Sequence, residues 1–171
     1  MNRKEMVLLD KIKKNKKIIL ITLLIVLLVV IDQVSKMLIG SIGENIINEV
    51  IKISPTQNYG GAFGVGQSGT TTFIITNVIV IGIIIRFMHM QQEQIDKKTY
   101  VALSLVVAGA IGNLIDKLFR GYVLEFIVIK SLSFNIADVF IVLGWILMAL
   151  FFAMYTYKYK KEKREGKIEK I

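Results

Sequence analysis

Long uncharged apolar runs, separated by short polar stretches, dominate this 171-residue chain. Four stretches, near 18–39, 70–90, 99–119 and 135–157, stay apolar over the roughly 20 residues that a helix needs to cross a bilayer. The first is the strongest, with fourteen consecutive uncharged residues from Ile18 to Ile31. A basic region precedes it, as in a signal peptide. Its apolar core, however, exceeds the usual 7–15 residues of such segments, and no small-x-small cleavage site follows. It reads as a retained helix. Two segments lie between the spans on one side, 40–69 and 120–134. Asn48–Ser54 partly alternates and is rich in β-branched residues, which predicts a short strand. A glycine-rich turn follows at Asn58–Gly64. Tyr122–Ile129 is also strand-like, and apolar enough to lie on a membrane surface. The pattern predicts an all-α membrane protein: a four-transmembrane-helix bundle under a small extracytoplasmic cover of β and loop structure.

Composition agrees: 54% of residues are hydrophobic and 20% charged, which sets aside a soluble enzyme and a disordered chain. With no cysteine and a single histidine, His89, there is no disulfide, thiolate ligand or Cys nucleophile, and no metal or other cofactor is expected. The net charge of +9 is segregated rather than striped. Seven Lys/Arg lie in residues 1–17, seven in 158–171, and Arg86, Lys97 and Lys98 flank the loop at 91–98. Only Lys36, Lys52, Lys117, Arg120 and Lys130 remain, so the tally is 17 on one side against 5 on the other. That is the positive-inside signature and not a nucleic-acid footprint. It places both termini in the cytoplasm and divides the chain into a basic tail (1–17), a membrane domain (18–157) and a second basic tail (158–171). Both tails read as solvated, mobile charge runs.

Ionisable groups within membrane spans are costly and usually signal function. Here they gather at one depth. Asp32 and Lys36 approach the outer end of the first span, Asn113 and Asp116 that of the third, and Asn135 and Asp138 open the fourth. Asn58 and Glu125 lie in the two outer segments. Asp32 and Lys36, spaced i, i+4 with the acid first, read as a helical ion pair. Gly109 and Gly112 read as close helix contacts, Asn135 as a cap, and Lys117, Arg120 and Lys130 as headgroup contacts. What these structural readings leave unexplained is three acids, Asp116, Glu125 and Asp138, at one interface. Two neighbouring carboxyls share a proton, so one can serve as general base and the other as general acid. Such a pair activates water without metal, Ser, Cys or cofactor.

Four ordered segments resemble the motifs of the bacterial lipoprotein signal peptidases (signal peptidase II), over about residues 18–157. Asp32-Gln-Val-Ser-Lys36 resembles D-Q-x-[ST]-K. Asn58-Tyr-Gly-Gly-Ala-Phe63 resembles N-T-G-A-A-F, departing at Tyr59 and Gly61. Gly109–Phe126 resembles G-A-x-G-N-x-x-D-R-x-x-x-G-x-V-x-D-F, and Phe134-Asn-Ile-Ala-Asp138 matches F-N-x-A-D. The resemblance implies an intramembrane aspartyl peptidase that cleaves prolipoproteins just before a diacylglyceryl-modified cysteine, at the outer surface of the bacterial cytoplasmic membrane. It implies Glu125 and Asp138 as the catalytic pair, with Glu where the family carries Asp. Asp32, Lys36, Asn58, Gly60, Asn113, Asp116, Asn135 and Ala137 follow as substrate-binding or supporting residues. Lys117 stands where the family has Arg, with Arg120 one turn on as a candidate substitute.

On this reading Asn58, Asn113 and Asn135 position the substrate backbone, and the partners are lipidated prolipoproteins and membrane lipids, with the enzyme a monomer. Three variants stay open on the sequence: a working Glu125, a pairing of Asp116 with Asp138, and an inactive relative that binds lipoprotein segments. A proton-coupled transporter is the more remote alternative, since its site would lie near the midplane of repeated halves.

Overall fold

The computed structural model describes residues 2–40, 45–46, 51–60, 70–91 and 94–165. Its helices are α1 (Arg3–Gly40), α2 (Thr70–Met90), α3 (Lys97–Arg120) and α4 (Ile136–Arg164). All four are long and apolar enough to cross a membrane, so this is a multi-pass membrane protein. The turn expected at Asn58–Gly64 falls outside the described residues beyond Gly60.

α3 is the axis of the bundle. Its apolar span is 72% buried within the protein, against 11% for each of the others, which leave their faces to lipid. It packs against α4, α1 and α2. Small residues permit the closest approach: a Cβ at Gly109 would collide with the Ala137 carbonyl oxygen. On the opposite flank Ile81, Ile84 and Met88 of α2 pack on Tyr100, Leu103 and Val107 of α3. Asp96 caps α3 by accepting a hydrogen bond from the Thr99 amide, and Gly121 ends it in the left-handed region at φ 79°.

One end of the bundle carries a four-stranded antiparallel sheet in the order β1 (Asn45–Ile46), β2 (Ile51–Asn58), β3 (Val123–Ile129), β4 (Leu132–Phe134). Of the strand expected at Asn48–Ser54, residues 48–50 lie outside the described residues; from Ile51 the chain is strand and runs on to Asn58. Three residues alone make β4, too few for an alternating pattern to register. Pro55, which has no amide to donate, sits in a register shift between Ile53 and Thr56. The shift has a consequence for chemistry. Thr56 comes opposite Glu125, so Asn58 shares its face; in the unshifted register Gln57 would have stood there.

The two basic tails are helical where they are described: α1 continues back to Arg3 and α4 forward to Arg164. Lys, Arg, Glu and Leu favour helix, and extending an existing helix avoids the cost of nucleating one.

Candidate active site

Two sets of carboxylates occupy the sheet end of the bundle. The first is compensated by cations. Lys36, one turn beyond Asp32 on α1, places its Nζ 2.8 Å from Asp32 Oδ2 and 2.9 Å from Asp116 Oδ2 on α3. Arg120 donates to Asp116 Oδ1 at 3.0 Å, so two cations balance two anions. The remaining lone pairs are also used. The Ala137 amide donates to Asp32 Oδ1, the Leu124 amide to Asp116 Oδ2, and Gln33 Nε2 to both carboxylates and to the Gly112 carbonyl. Asp32, Lys36 and Asp116 are at most 1% exposed. A side chain at Gly112 would collide with this cluster, its Cβ 2.5 Å from Asp32 Oδ2.

The second set is held by neutral donors. Asn135 caps α4, and Asp138 completes a capping box: the Asn135 amide donates to Asp138 Oδ2 at 3.0 Å, and the Asp138 amide to Asn135 Oδ1 at 2.9 Å. Asn113 Nδ2 donates to the other Asp138 oxygen at 2.7 Å. Asn135, fully buried, donates its side-chain amide to Asn113 Oδ1 and to the Leu124 carbonyl, which ties β3 to the first turn of α4. On β3, Glu125 Oε1 accepts from Asn58 Nδ2 at 2.6 Å and Oε2 accepts from the Ser133 hydroxyl. Among the described residues, neither Glu125 nor Asp138 forms an ion pair.

Both carboxylates line one cavity of about 950 Å³. Asn58 and Gly60 border it beside Glu125, while Phe73 and Asn77 of α2 and Val142 and Ile146 of α4 carry it along the helices. The Gly60 amide donates to Asn58 Oδ1 at 2.8 Å, which fixes the asparagine that holds Glu125.

The structure redistributes several expected roles. Asn135 has no exposed surface and does not line the cavity, whereas Asn58 and Asn113 both line it and each donates to a carboxylate, Asn58 to Glu125 and Asn113 to Asp138. Asp116 is enclosed by Lys36, Arg120 and the Leu124 amide, and the cavity is lined by Glu125 and Asp138 but not by Asp116. Lys117, read from sequence as a headgroup contact, is 2% exposed, and its ammonium donates to the Asn58 and Tyr59 carbonyls at 3.2 and 2.8 Å. A point-like ammonium suffices for carbonyls, so Arg's planar fork is not needed there. Arg120 does not replace it but reaches Asp116 instead.

Gln33, Ser133 and Asn77 were not legible as site residues. Each is uncharged, and the partners of Gln33 on α3 lie 79 and 83 residues away in the chain. Gln33 stands inside the Asp32–Lys36 segment, which was the one available signal.

Known proteins resemble this chain in sequence and in fold. The chain is 38% identical over 127 residues to the lipoprotein signal peptidase of Fusobacterium nucleatum, covering 70% of this chain and 77% of that one. It is 35% identical over 147 residues to that of Halalkalibacterium halodurans, covering 79% and 92%. Two solved bacterial membrane enzymes, determined in meso at 2.3 and 1.9 Å resolution, superpose with TM-scores of 0.70 and 0.67 at 27% and 30% identity. They cover 88% and 76% of this chain, and this chain covers 93% and 90% of them. The family described as signal peptidase (SPase) II matches residues 24–154. With that match over most of its length, and with its acids gathered at one end of a four-helix bundle, the chain belongs to the signal peptidase II family.

Proposed function

We propose that this protein removes the signal peptide from diacylglyceryl-modified prolipoproteins, cutting just before the lipidated cysteine. One observation carries the chemistry: two carboxylates from separate stretches of chain, Glu125 on β3 and Asp138 on α4, line the same cavity, and among the described residues neither is in an ion pair. In an acid–base pair of this kind one carboxyl works ionised and the other protonated. The ionised member deprotonates a water that attacks the scissile carbonyl, and the protonated member delivers its proton to the leaving amine. Asn58, Asn113 and Ser133 orient the carboxylates through the process, and the sheet limits access of bulk water.

The cavity wall accounts for a lipidated substrate. Beyond Asp138 it continues down α4 past Val142 to Ile146, about 12 Å at 1.5 Å per residue, and that wall is apolar. Acyl chains can lie along it with the peptide at the sheet end. The charge asymmetry of 17 against 5 orients both termini to the cytoplasm and the sheet end to the opposite face of the bacterial cytoplasmic membrane. Both carboxylates come from one chain, so a monomer suffices.

The test is turnover of a diacylglyceryl-modified precursor by purified protein in detergent or liposomes, beside the same precursor without the lipid. Cleavage of the lipidated form alone is expected. Tight binding without cleavage would contradict the proposal and select a binding protein on the same scaffold.

A further inference from the structure

Asn77 lies on the face of α2 that packs against α3. Asn77, Ile81, Ile84 and Met88 recur at helical spacing, and the last three are buried with Tyr100, Leu103 and Val107. Two contacts fix the depth of Asn77. Thr70 Oγ1 donates to the Gly121 carbonyl at one end of the α2–α3 pair, and the Tyr100 hydroxyl donates to the Met88 carbonyl at the other. The helices run antiparallel, so Asn77, seven residues inward from Thr70, stands level with Asn113, eight residues inward from Gly121. Asn113 donates to Asp138. Asn77 therefore shares the level of the α4 carboxylate, on a helix set off from α3 by one interaxial distance of about 8–10 Å, and it lines the same cavity.

Asparagine within a membrane span ordinarily bonds across to a neighbouring helix. Asn77 does not. Its Nδ2 donates at 3.0 Å to the Phe73 carbonyl of its own helix, which uses one of two N–H groups. Among the described residues the second N–H and the side-chain carbonyl have no partner, and the side chain is half-buried. Three other polar side chains of the cavity are committed to the carboxyl groups: Asn58 and Ser133 to Glu125, and Asn113 to Asp138. Asn77 thus brings one free donor and one free acceptor to the level where the carboxyl groups act. A backbone peptide group carries the complementary set, one acceptor and one donor.

We infer that Asn77 is a substrate-binding residue that hydrogen-bonds a backbone peptide group of the precursor beside the scissile bond. This rests on the peptidase reading above, which lays the substrate backbone between Asn77 and Asp138. The experiment compares three precursors identical in lipid and side chains. One is all-amide; in the other two an ester replaces the peptide bond one residue before or one residue after the scissile bond. The ester lacks the N–H, and its carbonyl is the weaker acceptor. Wild-type protein is expected to lose about three- to tenfold in kcat/KM on one of the two ester precursors, the worth of one neutral hydrogen bond. Asn77→Leu should lose the same factor on the all-amide precursor and nothing further on that ester. Asn77→Ala, run in parallel, controls for the bulk of leucine and should behave alike. Losses that multiply at both positions, or no loss by wild type on either ester precursor, would overturn the inference while leaving the peptidase intact. Failure of wild type to cleave the all-amide precursor would sink the peptidase reading, and this one with it.

Discussion

The two carboxylate sets at the sheet end are built from the same residue types and sit within one network, yet they are solved in opposite ways. Asp32 and Asp116 are enclosed with Lys36 and Arg120, and every oxygen is committed to a cation or an amide. Glu125 and Asp138 have asparagine, serine and backbone donors and face a cavity. The work of the compensated set is to join α1, α3 and α4. The second set, held by hydrogen bonds and open to the cavity, has carboxyl groups within reach of a bound molecule. The two sets meet at Asn113, which accepts from Lys36 at 3.3 Å and donates to Asp138 at 2.7 Å. Through it the ionic cluster orients the carboxylate that faces the cavity.

The contrast can be broken from either side. The largest structural effect is expected from Lys36→Met, which leaves two buried acids with one cation between them. Breaking a buried pair this way costs about 3–5 kcal/mol, enough to unfold a domain of ordinary stability. A sharp fall in melting temperature in detergent would show it, and an unchanged one would mean that the cluster is not ionic.

Glu125→Asp sharpens the other side. The carboxyl retreats by about one methylene from Asn58 and Ser133, and a misplacement near 1 Å can cost about 10²-fold in rate. Single-turnover cleavage of a lipidated precursor should fall by that order with stability unchanged. A rise would instead show that the surroundings still favour aspartate.

Asn58→Leu removes the Oε1 partner of Glu125, and kcat should fall by about tenfold, the worth of a hydrogen bond to a charged group.

The smallest effect is expected at the far end. Hydrogen bonds from the Thr99 side chain and amide hold the Asp96 carboxyl below its usual range. A depressed carboxylate stabilises the fold above the unfolded value and loses that contribution as pH falls through the folded one. Asp96→Ala should therefore lower stability by about 1 kcal/mol at neutral pH, by less under acid conditions, and leave cleavage unaltered. A loss of activity there would mean that the two ends are coupled.

How much of this could be read from the chain depends on whether a signal is local. The helices were legible because a bilayer demands uninterrupted apolar length, and the Asp32–Lys36 pair because its spacing is one helical turn. Helical continuation into the charged ends was not, since the same Lys/Arg runs that orient the protein also resemble solvated tails. The register shift at Pro55 was hidden too. Its consequence, Asn58 instead of Gln57 beside Glu125, exists only once β2 meets β3. Lys117 and Arg120 read alike in sequence, three residues apart, but helical geometry sends one to the Asn58 and Tyr59 carbonyls and the other to Asp116.

The most direct test of the carboxylate pair is a double-mutant cycle on cleavage of a lipidated precursor, comparing wild type, Glu125→Gln, Asp138→Asn and the double variant. If the two groups act as one acid–base unit, each single change lowers kcat by on the order of 10³-fold and the double variant is no worse than either. A single variant within tenfold of the wild-type rate, or losses that multiply in the double, would contradict it.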